Sequence, residues 1–148
     1  MSVHAPCPLC LGEGEHVVWR GPAFRLIRAA DPMLPALYRV VWNTHVAEFS
    51  DLSALDRLSC MDAVVLAEQT LRATLQPDKI NLASLGNVVP HLHWHVIARW
   101  GWDAYWPQSA WSAAQRPADD ARLDGIREQL PVVDAAMLQA YTTRFGGA

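Results

Sequence analysis

Residues 91–97 read His91-Leu92-His93-Trp94-His95-Val96-Ile97. Successive side chains of a strand point to opposite faces. Read as β-structure, this stretch puts His91, His93 and His95 on one face and Leu92, Trp94 and Val96 on the other. The apolar set can pack on a core and leave the imidazoles toward solvent or a pocket, which an antiparallel sheet with one wet face tolerates. Imidazoles in such a row sit about 7 Å apart, and three charges in line would repel. At least one ring is therefore expected to be neutral near pH 7 and free to act as nucleophile, base or ligand.

Upstream, residues 15–20, 22–29 and 37–43 read as short strands, rich in β-branched and aromatic residues and separated by Gly21-Pro22 and by Asp31-Pro32-Met33-Leu34-Pro35. Between Ser53 and Leu75 the spacing predicts a long helix, with Leu52, Leu55, Leu58, Val65, Leu71 and Leu75 recurring at helical intervals. Ser53 can cap its start, Asp56 stands three residues on, and Pro77 ends it. Two more strands are expected at 79–84 and 92–99, joined by a turn containing Gly86-Asn87, and two helices at 119–129 and 133–144. The order predicts one α+β domain over 1–148: an antiparallel sheet of about five strands, one long helix packed on it, and a C-terminal helical tail over 112–148.

At 148 residues, with 51% hydrophobic and 18% charged residues, the chain can build a core without staples and is not a disordered segment. A net charge of −3 gives no bulk attraction for a polyanion, so nucleic-acid coating is not expected and any phosphate must be held by a local site. No apolar run reaches the roughly 18–20 residues of a membrane span, and the first residues show no basic and apolar leader. The expectation is a cytoplasmic protein without a membrane partner.

Cys7, Cys10 and Cys60 are an odd number of thiols without secretory context, which favours thiols or metal ligands over disulfides. Cys7-Pro-Leu-Cys10 reads as half a zinc site or a redox pair, within an N-terminal segment over 1–14. His4 and His16 are near enough in sequence to join it. Cys60 falls at a core-compatible position on the long helix. Trp100, Trp102, Trp106 and Trp111 cluster just after the histidines, either as the wall of a pocket or partner surface or as the roof of a small core.

The run from His91 to Ile97, histidine alternating with apolar residues and closing on two of them, resembles the defining motif of the histidine triad (HIT) family. The flanks agree: Arg39-Val-Val-Trp-Asn-Thr-His45-Val-Ala-Glu48 followed by Asp51-Leu52 looks like the family's strand leading into its long helix. The similarity extends from about Cys7 to Arg99, with Tyr38–Leu52 and Trp100–Trp111 most like a bacterial HIT-like subgroup.

The resemblance implies an α+β fold, a homodimer, and hydrolysis or transfer at the α-phosphate of a purine nucleotide. By it, His93 is the nucleophile that forms a covalent nucleotidyl-histidine, His95 contacts phosphate oxygens and leaving group, and His91 orients the nucleophile. Asn81, Gly86 and Asn87 fall near the family's phosphate-binding positions, and Asp31 is the nearest acid for a ribose. The resemblance also implies a structural zinc held by Cys7, Cys10, His45 and His91, with no catalytic metal required. Departures are Leu37 or Tyr38 where members often carry histidine, Val88 where many carry serine, and Ala98 in place of a frequent proline. They keep a second expectation in play, a nucleotide- or zinc-binding module without turnover.

Overall fold

The computed structural model describes residues 6–147. A short helix α1 (Pro8–Leu11) leads into β1 (His16–Arg20), β2 (Phe24–Arg28) and β3 (Leu37–Trp42). A single 3-10 turn at Phe49–Asp51 precedes α2 (Ala54–Leu75), followed by β4 (Lys79–Ala83), β5 (His93–Arg99) and α3 (Asp120–Phe145). The five strands form one sheet in the order β1-β2-β3-β5-β4, every neighbouring pair antiparallel. β5 therefore enters between β3 and β4, and β4 is left at the edge. This is the expected α+β architecture, with strand ends within a residue or two of those read from sequence.

One face of the sheet carries both long helices. Leu26, Tyr38, Val40, Trp42, Val96 and Ala98 are buried there against Ala63, Val64, Ala67 and Leu71 of α2 and against Leu130, Val133, Met137 and Tyr141 of α3. Ser53 caps α2, its hydroxyl accepting from the Asp56 N–H at 3.1 Å, and Gln76 turns the chain out in the left-handed region at φ 48° before Pro77. The buried stripe of α2 matches the expected one only in part: Leu71 is buried, as is Leu52 just before the helix, but Leu55 and Leu58 are 76% and 66% exposed, and Cys60, Ala63 and Ala67 line the seam before Leu71. Small side chains there let α2 lie close to the sheet and to α3. Cys60 is core as expected, and burial pushes its thiol up to about 12.

The two expected C-terminal helices are one continuous helix, with Pro131 inside it. Proline removes one backbone donor and normally breaks a helix. Here the residues on both sides of it, Leu130 and Val133, are buried in the same core. Asp134 then ties the helix to the sheet, accepting from Arg28 Nε at 3.1 Å, from His16 Nε2 at 2.8 Å and from the Tyr38 hydroxyl at 2.6 Å. Among the described residues no helix is long and apolar enough to cross a membrane.

Candidate functional site

The second face of the sheet carries the odd-numbered residues of β3 and β5. Register pairs Val41 with His93, Arg39 with His95 and Leu37 with Ile97, and directly opposed residues share a face. This face is not wet, as an alternating strand alone would suggest. His91, His93 and His95 are 0%, 8% and 6% exposed, because the N-terminal segment and the loop after β5 close over it. Leu9 of α1 packs on Ile27 and Val41. The segment is held down by Arg25, which donates Nε to Glu15 at 2.8 Å, Nη2 to the Leu9 carbonyl at 2.7 Å and Nη1 to Asn43 at 3.2 Å.

His91 stands just before β5 and departs from the row of the other two. Its Nε2 lies 2.6 Å from the Trp42 carbonyl oxygen. That bond places the ring proton on Nε2 and turns Nδ1 toward Cys7, Cys10 and His45. The ligand atoms of these four residues all lie within 4.8 Å of one another. His91 Nδ1 is 3.4 Å from Cys7 Sγ, 3.5 Å from Cys10 Sγ and 3.1 Å from His45 Nδ1, and Cys10 Sγ is 3.3 Å from His45 Nδ1. Zinc bonds of about 2.3 Å to sulfur and about 2.0–2.1 Å to nitrogen put tetrahedral ligands roughly 3.3–3.8 Å apart. Two thiols and two imidazoles at these spacings therefore fit a closed zinc site. Of the other residues considered for it, His16 is engaged with Asp134, and His4 lies outside the described residues.

Two residues further on, His93 sits with Nδ1 2.6 Å from the His91 carbonyl oxygen. A carbonyl only accepts, so His93 carries its proton on Nδ1, and Nε2 keeps a free lone pair. Burial lowers the pKa of His93, against the hydrogen bond to His91, which raises it. The His95 ring lies 4.8 Å from that of His93, and burial, with His93 and Arg39 nearby, lowers its pKa to about 3. Both rings are neutral at pH 7. His95 Nδ1 is buried with no hydrogen-bond partner among the described residues.

The two histidines open onto a cleft of about 450 Å³, lined also by Pro8, Leu9, Arg39, Leu85–Val89 and Trp111. Gly86 and Asn87 thus stand at the cleft, and Gly86 takes φ +78°, a turn that favours glycine. Val88 is 94% exposed at its mouth. Asn81 shares the histidine face of the sheet, opposite Ile97, but its Oδ1 accepts from Arg99 Nη1 at 2.7 Å and it does not line the cleft. Asp31 lines a neighbouring groove of about 330 Å³, and its Oδ1 accepts the Met33 and Leu34 N–H groups, both at 2.9 Å.

The tryptophan cluster divides. Trp111 stands edge-on to His95 at 5.0 Å, whereas Trp100 stacks on Trp102 at 5.5 Å against the core. Arg39 was not among the residues chosen from sequence. Its signal was there: one cation inside Leu37-Tyr-Arg-Val-Val-Trp42, an otherwise apolar strand.

Two neutral imidazoles on one buried strand, the first with a lone pair facing a cleft, beside a third that closes a thiol–imidazole cluster, define a histidine triad protein. The chain belongs to the HIT domain family, whose model matches residues 13–101. This is in general a family of nucleotide-binding hydrolases and transferases. A histidine triad protein from Bradyrhizobium japonicum is similar over 88% of this chain and 92% of its own, at 27% identity and a TM-score of 0.70. One from Marinobacter aquaeolei covers 88% and 90% at 23% identity and 0.68. A zinc-bound histidine triad family protein from Mycobacterium smegmatis covers 93% and 97% at 19% identity and 0.62. No curated protein is similar enough in sequence to register as a relative.

Proposed function

We propose that this protein cleaves purine nucleotides at the α-phosphate, of the phosphoramidate or dinucleoside polyphosphate type, through a nucleotidyl-histidine on His93. The observation that carries this reading is the Nδ1 contact of His93 with the His91 carbonyl, which leaves Nε2 unprotonated at the cleft. In the first step Nε2 attacks the α-phosphorus, a P–N bond forms, and the bond to the leaving group breaks. The leaving group departs with the bonding pair and takes up a proton from solvent, assisted by a hydrogen bond from the neutral ring of His95. Water then attacks the same phosphorus and returns a proton to solvent, the P–N bond breaks, and nucleotide is released with His93 restored. Splitting one hard displacement in two suits a neutral imidazole nucleophile.

Asn87 and the backbone at Gly86 are the phosphate-side donors in this reading, and Asp31, in the neighbouring groove, is the candidate acid for the ribose. Cys7, Cys10, His45 and His91 would hold zinc, as the donor set and the zinc-bound fold neighbour support. When bound it would supply structural cross-linking: it would fix His91, and through the backbone the position of His93. No catalytic metal enters the scheme. We further read the protein as a cytoplasmic homodimer. The open edge of β4, with Leu82 exposed on it, and the exposed Leu55 and Leu58 of α2 support a second copy there.

Release of AMP from adenosine 5′-phosphoramidate, with His93→Ala alongside, tests the chemistry. Turnover by the wild type, reduced about 10⁴–10⁶-fold in the variant, is the expected result. Binding of AMP by both with release by neither would instead favour a nucleotide-binding module.

A further inference from the structure

Arg39 lies at the centre of the histidine face. Its neighbours in register are His95 on β5 and Ile27 on β2. It lines the histidine cleft and also the neighbouring groove that Asp31 lines, and Pro8 and Leu9 share that position. Among the described residues that line the cleft, it is the one side chain with a permanent charge. Its Nε is buried with no hydrogen-bond partner among the described residues, and so is Nδ1 of His95 directly across the strand pair.

Such an arrangement is costly in the free protein. A buried donor without an acceptor loses the hydrogen bond that water would have supplied, and a buried cation loses more. Burial pulls the Arg39 pKa down, and the carboxylates of Asp31 and Glu15 only partly restore it. By contrast, Arg25 and Arg99, two further arginines of this face, are bound by Glu15 and by Asp103. An anionic oxygen brought into the cleft would satisfy Arg39 and neutralise its charge.

We propose that Arg39 is the anion-holding residue of the site: its guanidinium grips the phosphate oxygens of a phosphate ester in the cleft and so selects phosphorylated ligands over their neutral counterparts. The assignment rests on the histidine cleft being the ligand site, and the nucleotidyl-transfer chemistry proposed above deepens with it but is tested separately.

Titration calorimetry with inorganic phosphate, AMP and adenosine on the full zinc-replete chain tests the proposal, using wild type, Arg39→Leu and Arg39→Lys. One charge-assisted hydrogen bond is worth about 10–100-fold in affinity, so wild type should prefer AMP to adenosine by at least about tenfold. Arg39→Leu should bring that ratio within about twofold and abolish phosphate binding. Arg39→Lys, which retains the charge but not the fork, should keep an intermediate preference and guards against a misfolded leucine variant. An unchanged ratio in Arg39→Leu, or a wild type that neither binds phosphate nor prefers AMP, overturns the proposal. Arg39-dependent phosphate binding in a protein that releases no AMP from the phosphoramidate would sustain it while the nucleotidyl-transfer reading fell.

Discussion

The carbonyl oxygen of His91 accepts the Nδ1 proton of His93 at 2.6 Å, while the ring of His91 closes the thiol–imidazole cluster with Cys7, Cys10 and His45. One residue therefore fixes the protonation of His93 through its backbone and meets the N-terminal segment through its side chain.

Purified protein should carry about one zinc per chain, measured by elemental analysis. Cys10→Ser should weaken zinc by at least the 10–100-fold or so that outer-shell changes cost in metal sites, and chelation should lower the melting temperature. In the proposed scheme the metal would sit beside the chemistry and take no part in it, so AMP release should fall without vanishing. Full zinc content in Cys10→Ser would remove Cys10 from the ligand set.

The ion pair of Arg25 and Glu15 is buried on both sides, with side chains 4% and 8% exposed. Arg25→Met leaves a buried carboxylate unpaired, and should cost about 3–5 kcal/mol in a denaturant titration. Arg25 also holds the Leu9 carbonyl, so the variant should retain zinc less well. The double variant with Glu15→Gln should recover much of the lost stability, because the stranded charge is gone.

Acid should destabilise the fold through His95. The unfolded chain protonates this group near pH 6.5, whereas the folded chain holds it neutral down to about 3. The stability it supports is therefore complete above pH 6.5 and is lost as pH falls toward 3, with a slope of about 1.4 kcal/mol per pH unit. Denaturant midpoints at pH 7.5, 5.5 and 4.5 check this. His95→Asn should show a shallower decline than the wild type, and parallel declines would mean that His95 carries no such linkage.

Trp111 lies edge-on to His95 yet is 52% exposed. Trp111→Ala should leave the melting temperature within a few degrees, as surface truncations do. Its effect should appear at the cleft, as a several-fold higher KM for the phosphoramidate. A drop in melting temperature with unchanged KM would make the ring a structural cover.

The β-layer was legible in the sequence because its strands are rich in β-branched and aromatic residues, as in Leu37–Trp42. His93-Trp94-His95-Val96 alternates, which assigns the histidines to one face, although both faces are buried in the fold. The helices were harder. α2 buries alanines and a cysteine beside Leu71, and exposes Leu55 and Leu58, which a periodicity reading weighs as heavily. The helices expected at 119–129 and 133–144 are one because the neighbours that keep α3 whole across Pro131 come from the far side of the core. At the site, the identities of the reactive residues sit next to one another along the chain. Their environment does not: the cover over the histidines comes from Leu9 and Trp111, and the cation beside them from a strand more than fifty positions upstream. Asn81 shows the same limit, since its partner Arg99 is fixed by strand pairing that no local motif encodes.

Strand order also dictates when the site can exist during synthesis. β4 has β5 as its one neighbour in the sheet, so it emerges from the ribosome with nothing to pair with. The β1-β2-β3 meander can zip locally, but the slot beside β3 stays empty until residues 93–99 arrive and pair on both sides at once. Until then neither histidine has a strand to stand on, and Arg39 faces no partner across the gap. A truncated or stalled chain therefore has no half-formed chemistry to misdirect: the act that completes the sheet is the act that assembles the site.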